Sequence, residues 1–199
     1  MNIWDHSRLS VRKFGGKEED YFAIHKFLDS SKLFYFHVKH RLLLHHLFGI
    51  ELTIEKFGDY LENSTGKIIL VRDIAAEHLK EDLSGKVPSL YEWLSGQAIE
   101  WGEDLVLPEF ENAALEKFVL RPYLKSKLKA SLLLTFSDFG VYLAREILDI
   151  KAAQSLRAMI KPEQTVQHYL TQFKFTQRWQ FHPDPKELAW LKDPNNFKK

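Results

Sequence analysis

Apolar positions recur at helical spacing over most of the chain. In residues 18–30 they follow a helical period, and three acids stand at the beginning, where the helix dipole favours negative charge. Residues 33–48 are apolar on almost every side, which predicts the most buried helix of the domain, and Gly49 marks its end. The same patterns predict helices over residues 50–57 and 73–83, a short helix opening at Ser89, and helices over 112–120, 123–136, 138–148, 150–160 and 162–173.

Capping and breaking residues bound several of these helices. Asp73 is the predicted N-cap of the helix that ends before Gly85. Ser89 and Glu92 have the three-residue spacing of a capping box. Pro122 is expected to end or kink the helix in which it lies, because proline lacks the backbone donor that a helix interior needs.

One segment departs from the helical period. Tyr60-Leu61-Glu62 leads into the turn-forming tetrad Asn63-Ser64-Thr65-Gly66, and a β-branched run follows over residues 67–71. This pattern predicts a β-hairpin. The fold class is therefore a mainly α, multi-helix globular protein with one small β-hairpin, and no internal repeat is visible.

The chain divides into three parts by polarity and histidine content. Seven of the nine histidines precede Glu100. We expect a His-rich helical unit with the β-hairpin over residues 1–100, a helical unit packed on it over 101–175, and an irregular arm over 176–199. The arm is rich in aromatic residues, Pro and Lys, and it shows no period.

Composition excludes several classes of protein. Among 199 residues, 45% are hydrophobic and 14% aromatic, so a sizeable core is available. There is no cysteine, which excludes disulfides, a thiolate nucleophile and Cys-bound zinc or iron–sulfur sites. No apolar run approaches the roughly 20 residues that span a bilayer, and the first ten residues lack a signal-peptide core. We therefore expect a cytoplasmic protein without membrane association.

The strongest chemical signal lies between His37 and His46. On a regular helix His37, Arg41 and His45 would form one stripe, because they are four residues apart. His46 would then point away, so that His45 and His46 would not serve one site. A helix this apolar hides most of its faces, and its polar groups therefore need partners.

The helix after the hairpin offers those partners. His78, Glu81 and Asp82 are three and four residues apart and share one face. Imidazole and carboxylate together suit Zn, Mn or Fe as a divalent cofactor. We assign His45, His78 and Asp82 as metal ligands, and Glu81 as general base for phosphoester hydrolysis. Arg41 and Arg72 are assigned to bind an anion.

A second interpretation stays open. Buried histidines that hydrogen-bond to carboxylates are common in protein cores, and Arg41 with Glu81 or Asp82 would make a structural ion pair. No established metal-binding spacing, such as His-Glu-x-x-His, is present. On this interpretation the protein is a non-enzymatic interaction or assembly protein, and the polar cluster only fixes its helices.

A series of short motifs runs through residues 10–95: Ala23-Ile24-His25, Asp29, Ser31-Lys32, His40-Arg41, His45-His46, Asn63-Ser64, Arg72, His78 and Glu81-Asp82-Leu83. In this order the motifs resemble an uncharacterised family of small bacterial and phage proteins. The resemblance implies a shared fold and no particular activity, and His37 lies outside its motif. Two positions depart from the pattern: Ala76 stands where the family has an acid, and Leu44 where it often has a basic residue.

The C-terminal arm suggests a partner. Its segment Trp179-Gln180-Phe181-His182-Pro183 has aromatic side chains but no period, so it needs a groove to bury them. We expect self-association or a protein partner through this arm. Lysine and arginine total 28 against 27 acids, and the basic residues near Lys125 follow one helix face, so we do not expect nucleic acid as a partner.

Overall fold

A computed structural model describes residues 1–97, 105–110, 112–181 and 189, and it confirms a mainly helical protein with one antiparallel hairpin. The elements up to residue 97 are α1 (Ile3–Phe14), α2 (Glu18–Leu28), two 3-10 segments (Asp29–Leu33 and Val38–His40), α3 (Arg41–Leu44), α4 (Leu47–Phe57), β1 (Tyr60–Glu62), β2 (Ile68–Leu70), α5 (Val71–Asp82) and α6 (Leu90–Leu94). Those after residue 105 are α7 (Ala113–Ser126), a 3-10 segment (Lys129–Leu134), α8 (Asp138–Ile147), α9 (Ile150–Met159), α10 (Val166–Gln172) and a 3-10 segment (Arg178–Gln180).

Helix α1 is not predicted by the apolar pattern. The Asn2 side chain accepts a hydrogen bond from the backbone of Asp5 and thereby caps the helix. The residues that α1 buries are His6, Ser7 and Ser10. Because this buried face is polar, a search for apolar periodicity does not find the helix.

The prediction of one helix over residues 33–48 is wrong. The chain instead passes through two 3-10 segments and the short α3, and it turns at His45 and His46 before α4 begins. The His46 imidazole caps α4 by accepting a hydrogen bond from the Gly49 backbone at 2.9 Å. A Cβ on Gly49 would clash with the Leu44 carbonyl, so the close approach of α3 and α4 requires glycine. His45 and His46 therefore do not lie on one regular helix.

The hairpin and the helix after it agree with the prediction except at one boundary. Tyr60 pairs with Leu70 and Glu62 with Ile68. Helix α5 begins at Val71, directly after β2, so Asp73 lies in the first turn and is not the N-cap. The predicted capping box of Ser89 and Glu92 is confirmed at the start of α6.

Pro122 does not break its helix. Helix α7 continues through it to Ser126, where the helix predicted to reach residue 136 ends. Pro122 belongs to the buried face of α7, so packing outweighs the lost backbone hydrogen bond. The remaining members of the buried face of α7 are Leu115, Phe118, Val119 and Ser126.

Helix α10 begins later than the sequence predicts. Thr165 caps it, so it begins at Val166 and not at Pro162.

The apolar core is continuous across both halves of the chain. Helix α4 packs on α8, and α6 packs on α7. Trp93 is fully buried, and its indole centroid lies 4.9 Å from that of Trp179, at the beginning of the predicted arm. The arm from residue 182 onward lies outside the described residues, Ala189 excepted. No helix in the described part of the chain is long and apolar enough to cross a membrane.

The two halves share a local arrangement that the sequence analysis did not detect. In the first half His46 caps α4, and Gly49 packs against the Leu44 carbonyl. In the second half Ser137 caps α8, and a Cβ on Gly140 would clash with the Thr135 carbonyl in the same way. The two turns therefore correspond, with Ser137 at the position of His46.

Backbone hydrogen bonds support this correspondence. The His45 backbone N donates to the Arg41 carbonyl at 2.7 Å, and the Phe136 backbone N donates to the Leu132 carbonyl at 2.7 Å. The first residue of α4 donates to the carbonyl that precedes the cap of α6, and the first residue of α8 donates to the carbonyl that precedes the cap of α10. The correspondence therefore matches His45 with Phe136 and Arg41 with Leu132.

The helices that pack on these turns also match. Helix α5 packs on α4, and α9 packs on α8. Both helices carry an Ala-Ala pair followed three residues later by a fully buried leucine, Leu79 in α5 and Leu156 in α9. Aligned on these leucines, His78 corresponds to Ser155 and Asp82 to Met159.

Candidate metal centre

Four side chains from three parts of the first half meet at one point. Asp29 follows the end of α2, His45 lies in the turn after α3, and His78 and Asp82 lie on α5. One potential ligand atom from each lies within 4.8 Å of the others, and all four residues are buried. The cluster therefore contains two imidazoles and two carboxylates, which is a ligand set for zinc, manganese or iron.

The distances within the cluster fit one small ion. His45 Nε2 lies 3.1 Å from Asp82 Oδ2 and 3.1 Å from His78 Nε2. Asp29 Oδ1 lies 3.9 Å from His45 Nε2 and 3.7 Å from His78 Nε2. Ligands at about 2.0–2.1 Å from a tetrahedral zinc ion are roughly 3.3 Å apart. The four atoms therefore need only small shifts to surround such an ion.

Three buried atoms of the cluster lack hydrogen bonds within the described part of the chain, and one of them, Asp29 Oδ2, is in an ion pair with Lys32. Asp29 Oδ1 and His45 Nδ1 are buried and have no hydrogen-bond partner among the described residues. A buried carboxylate oxygen without a donor is costly, and Asp29 Oδ1 points toward the two Nε2 atoms. A cation at the centre would satisfy this oxygen.

The two carboxylate oxygens of Asp82 contact different groups. Oδ2 faces His45, whereas Oδ1 lies 3.3 Å from an Arg41 guanidinium nitrogen and 3.2 Å from the Met1 amino group. Burial alone would raise the pKa of Asp82, but His45, Arg41 and His78 together lower it well below its ordinary value. The carboxylate is therefore ionised, as a metal ligand must be.

The pKa values of the two other carboxyl groups, those of Asp29 and Glu81, are raised. Burial raises the pKa of Asp29, although Lys32, whose amino group lies 2.8 Å from Asp29 Oδ2, opposes this shift. Burial and the nearby charge of Asp82 raise the pKa of Glu81 to about 8. Glu81 Oε2 lies 2.5 Å from His6 Nδ1, and it is only 17% exposed. Glu81 and His6 therefore form a close, mostly buried hydrogen-bonded pair.

A second group of histidines lies behind the cluster. His78 Nδ1 lies 3.0 Å from His25 Nδ1, and His25 Nε2 lies 2.9 Å from the Ser10 hydroxyl. One ring nitrogen from each of His6, His25 and His78 lies within 4.8 Å of the others. All three rings are fully buried.

Burial keeps the histidines of this region neutral. It lowers the pKa of His6 to about 2, that of His25 to about 4 and that of His46 to about 3. Burial also lowers the pKa values of His45 and His78. Neutral imidazole is the form that binds metal, so these rings need no deprotonation before binding.

The structure brings most of the predicted site residues together. His45 contacts both His78 and Asp82, Arg41 contacts Asp82, and Glu81 contacts His6. Arg72 does not join them. It is exposed near the other end of α5, roughly 15 Å along the helix axis from Asp82 at about 1.5 Å per residue.

His40 and His37 precede His45 in the chain and differ in their distance from the cluster. His40 accompanies His45 at a ring-centroid distance of 5.4 Å, and its Nδ1 lies 2.8 Å from the Ser31 hydroxyl. His37 caps the second 3-10 segment, so it is not part of the cluster. The predicted stripe of His37, Arg41 and His45 does not exist, because the chain is not one helix there.

Asp29, His6 and His25 are members of the site that the sequence analysis did not select. His25 is buried on the apolar face of α2, between Tyr21 and Leu28, and a polar residue in an apolar stripe is a usable signal. Asp29 lies among the residues of the family resemblance, but it has no helical periodicity to mark it. For His6 the only local signal is the Asn2 cap of α1.

The fold and the cluster define a mainly helical protein with a buried His/Asp cluster that could hold a metal ion. The chain belongs to the family described as a domain of unknown function (DUF6915), whose model matches residues 1–101. This range contains every residue of the cluster and of the second histidine group. No curated protein and no solved structure matches the chain.

Proposed function

We propose that Asp29, His45, His78 and Asp82 bind one divalent metal ion. The observation that carries the proposal is the set of four ligand atoms, all within 4.8 Å of one another and all on buried side chains. The two imidazole rings are neutral, and Asp82 is held ionised. Zinc, manganese and iron accept this combination of ligands.

A cavity beside the cluster favours a catalytic use of this ion. It has a volume of about 660 Å³, and Asp29 forms part of its wall. Lys26, Lys32 and Lys56 also line it, together with apolar side chains such as Phe27 and Phe57. Glu146 lines it as well and is paired with Lys56 at 2.6 Å, which leaves Lys26 and Lys32 nearest to the role of anion binding. Lysines suit an anionic group, and the apolar wall suits an organic substituent.

We therefore propose metal-dependent phosphoester hydrolysis as the activity, with the substrate entering through this cavity. A divalent ion lowers the pKa of a bound water and polarises a phosphoryl oxygen. Lys32, next to Asp29, replaces Arg72 as the proposed anion-binding residue, while Arg41 pairs with Asp82. Glu81 stays the predicted general base, with its carboxylate against His6.

Elemental analysis of purified protein, after metal removal and reloading, tests the metal site. We expect at least one equivalent of Zn²⁺ or Mn²⁺ per chain, lost in His45→Gln and Asp82→Asn. His168→Gln is the matched control, because His168 is exposed and far along the chain. Reloaded wild-type protein that holds no metal would contradict the proposal.

Hydrolysis is tested separately with p-nitrophenyl phosphate, which combines a phosphoester with an apolar ring. We expect turnover that requires the metal and that falls by about 10²–10⁴-fold in Glu81→Gln while the metal is retained. Lys26→Ala should raise KM through weaker binding of the anion. Metal-loaded protein without turnover on this and related phosphoesters would leave the metal site but remove the activity.

The alternative proposal, a non-enzymatic protein that self-associates through its arm, is tested by light scattering. The arm begins against its own chain, where the Gln180 side chain donates to the Trp93 carbonyl at 3.3 Å. A defined oligomer that is lost on deletion of residues 182–199 would support this alternative. A monomer with or without these residues would contradict it.

A further inference from the structure

We propose that the protein holds a second metal ion, bound by His6, His25 and His78, and that the His78 ring bridges the two ions. This inference rests on the proposed metal site, because His78 belongs to both ligand sets. It adds an all-imidazole site to the mixed His/Asp site. Imidazole ligands suit zinc and copper, whereas manganese prefers carboxylate, carbonyl and water oxygens.

The two ring nitrogens of His78 face different groups of potential ligands, which is the first observation in support of a bridge. Its Nε2 faces the His/Asp cluster, at 3.1 Å from His45 Nε2. Its Nδ1 faces the opposite way, at 3.0 Å from His25 Nδ1. Each nitrogen of one ring therefore contributes to a different group of potential ligands.

The other two histidines are held by their outer nitrogens. Glu81 contacts His6 at Nδ1, and Ser10 contacts His25 at Nε2. Metal-binding histidines usually have such a carboxylate, carbonyl or hydroxyl on the nitrogen that does not bind the ion. His6 Nε2 is buried and has no hydrogen-bond partner among the described residues, so it is available for an ion.

Carboxyl groups near both ligand sets offset part of the charge of two dications. Asp29 and Asp82 belong to the first set, and Glu81 contacts His6 of the second. Arg41 and the Met1 amino group already pair with Asp82, and Lys32 pairs with Asp29. A bridging His78 imidazolate would supply one further negative charge. His78 reaches this form by releasing its remaining ring proton to solvent as the second ion binds.

If the protein binds only one ion, the same contacts have a different role. In that arrangement His78 Nδ1–H donates to His25, and His6 and His25 only orient the ligand. Removing His25 would then weaken the single ion without changing the number of ions bound. The two arrangements therefore differ in stoichiometry.

Metal stoichiometry of the full-length protein tests the inference. Metal-free protein is dialysed against Zn²⁺ or Mn²⁺, and the bound metal per chain is measured by elemental analysis. We expect two Zn²⁺ but one Mn²⁺ in the wild type, and one Zn²⁺ in His25→Gln and in His6→Gln. The His168→Gln control should keep two Zn²⁺.

The outcomes separate this inference from the proposed function. One Zn²⁺ in the wild type, or two Zn²⁺ in His25→Gln, would overturn the second site and leave the first. No bound metal in the wild type would overturn both. The wild-type stoichiometry decides the matter even if a variant fails to fold.

Copper provides an independent readout of the bridge. Two Cu²⁺ ions on one imidazolate couple magnetically, so the integrated electron paramagnetic resonance signal at low temperature should fall below two spins per chain. The signal should return to about one full spin in His25→Gln, which holds one ion. Two uncoupled spins in the wild type would overturn the bridging role of His78.

Discussion

The two halves of the molecule use the same turn with different side chains. Before α4 the turn places His45 beside His78 and Asp82, whereas before α8 the corresponding positions are Phe136, Ser155 and Met159. Both turns end in a capped helix with a glycine against a carbonyl. Within its described residues, the second half therefore builds this arrangement without a buried group of potential metal ligands.

This difference bears on why the first half contains the cluster. Buried ion pairs are often no more stabilising than apolar residues of similar volume. Since Phe136 and Leu132 serve the turn in the second half, the turn itself does not require His45 and Arg41. The comparison favours a binding role for the cluster over a purely structural one.

Removing one charge from the cluster should have the largest effect on stability. In Asp82→Ala the buried Arg41 guanidinium loses its carboxylate at 3.3 Å. We expect a loss of about 3–5 kcal/mol in the free energy of unfolding, measured by denaturant titration. The corresponding Met159→Leu in α9 should cost less than about 1.5 kcal/mol. Similar losses in the two variants would contradict the contrast between the halves.

Replacing Arg41 and the three cluster residues that have counterparts in the second half should have a different effect from removing one charge. The variant with Arg41→Leu, His45→Phe, His78→Ser and Asp82→Met gives the first half the residues of the second. We expect it to fold with metal-free stability equal to wild type or up to about 4 kcal/mol higher, and to bind no metal. A variant that cannot fold would show that the turn in the first half depends on its ionisable residues.

The glycines test whether the two turns are equivalent. Gly49→Ala and Gly140→Ala each place a Cβ against a backbone carbonyl that cannot move freely. We expect each substitution to cost about 1–3 kcal/mol in the free energy of unfolding. A large loss at one glycine and none at the other would break the correspondence.

Acid should destabilise the metal-free protein through the first half. The pKa of His25 is lowered to about 4 and that of His46 to about 3, so both stay neutral in the folded state when the unfolded chain takes up protons below about pH 6.5. Stability should therefore be full above pH 6.5 and fall as the pH drops toward 4. The slope is about 1.4 kcal/mol per pH unit for each such histidine, measured by denaturant titration at several pH values. A flat profile would contradict the burial of neutral rings.

The sequence predicted those elements whose local signals agree with their packing. The hairpin has its turn tetrad, α6 has its capping box, and α5 keeps His78 and Asp82 on one face as expected. The pattern of α5 sufficed to select two of the four proposed ligands, His78 and Asp82. His45 was selected from a helical stripe that the structure does not contain.

The rest depends on tertiary contacts that no local pattern contains. The break at His45 follows from the approach of Gly49 to the Leu44 carbonyl, and an apolar period cannot show it. His6 lies on a helix whose buried face is polar. Asp29 becomes a candidate ligand only because α2 ends beside α5.

The thermal stability of wild-type protein with and without Zn²⁺ tests the central claim most directly. An ion that binds the folded chain stabilises it by about 4.1 kcal/mol at a free concentration 1,000 times Kd. We predict a clear rise in Tm when Zn²⁺ is added to metal-free wild type, reversed by a chelator and absent in the four-substitution variant. An unchanged Tm in the wild type would contradict the assignment of the buried cluster as a metal centre.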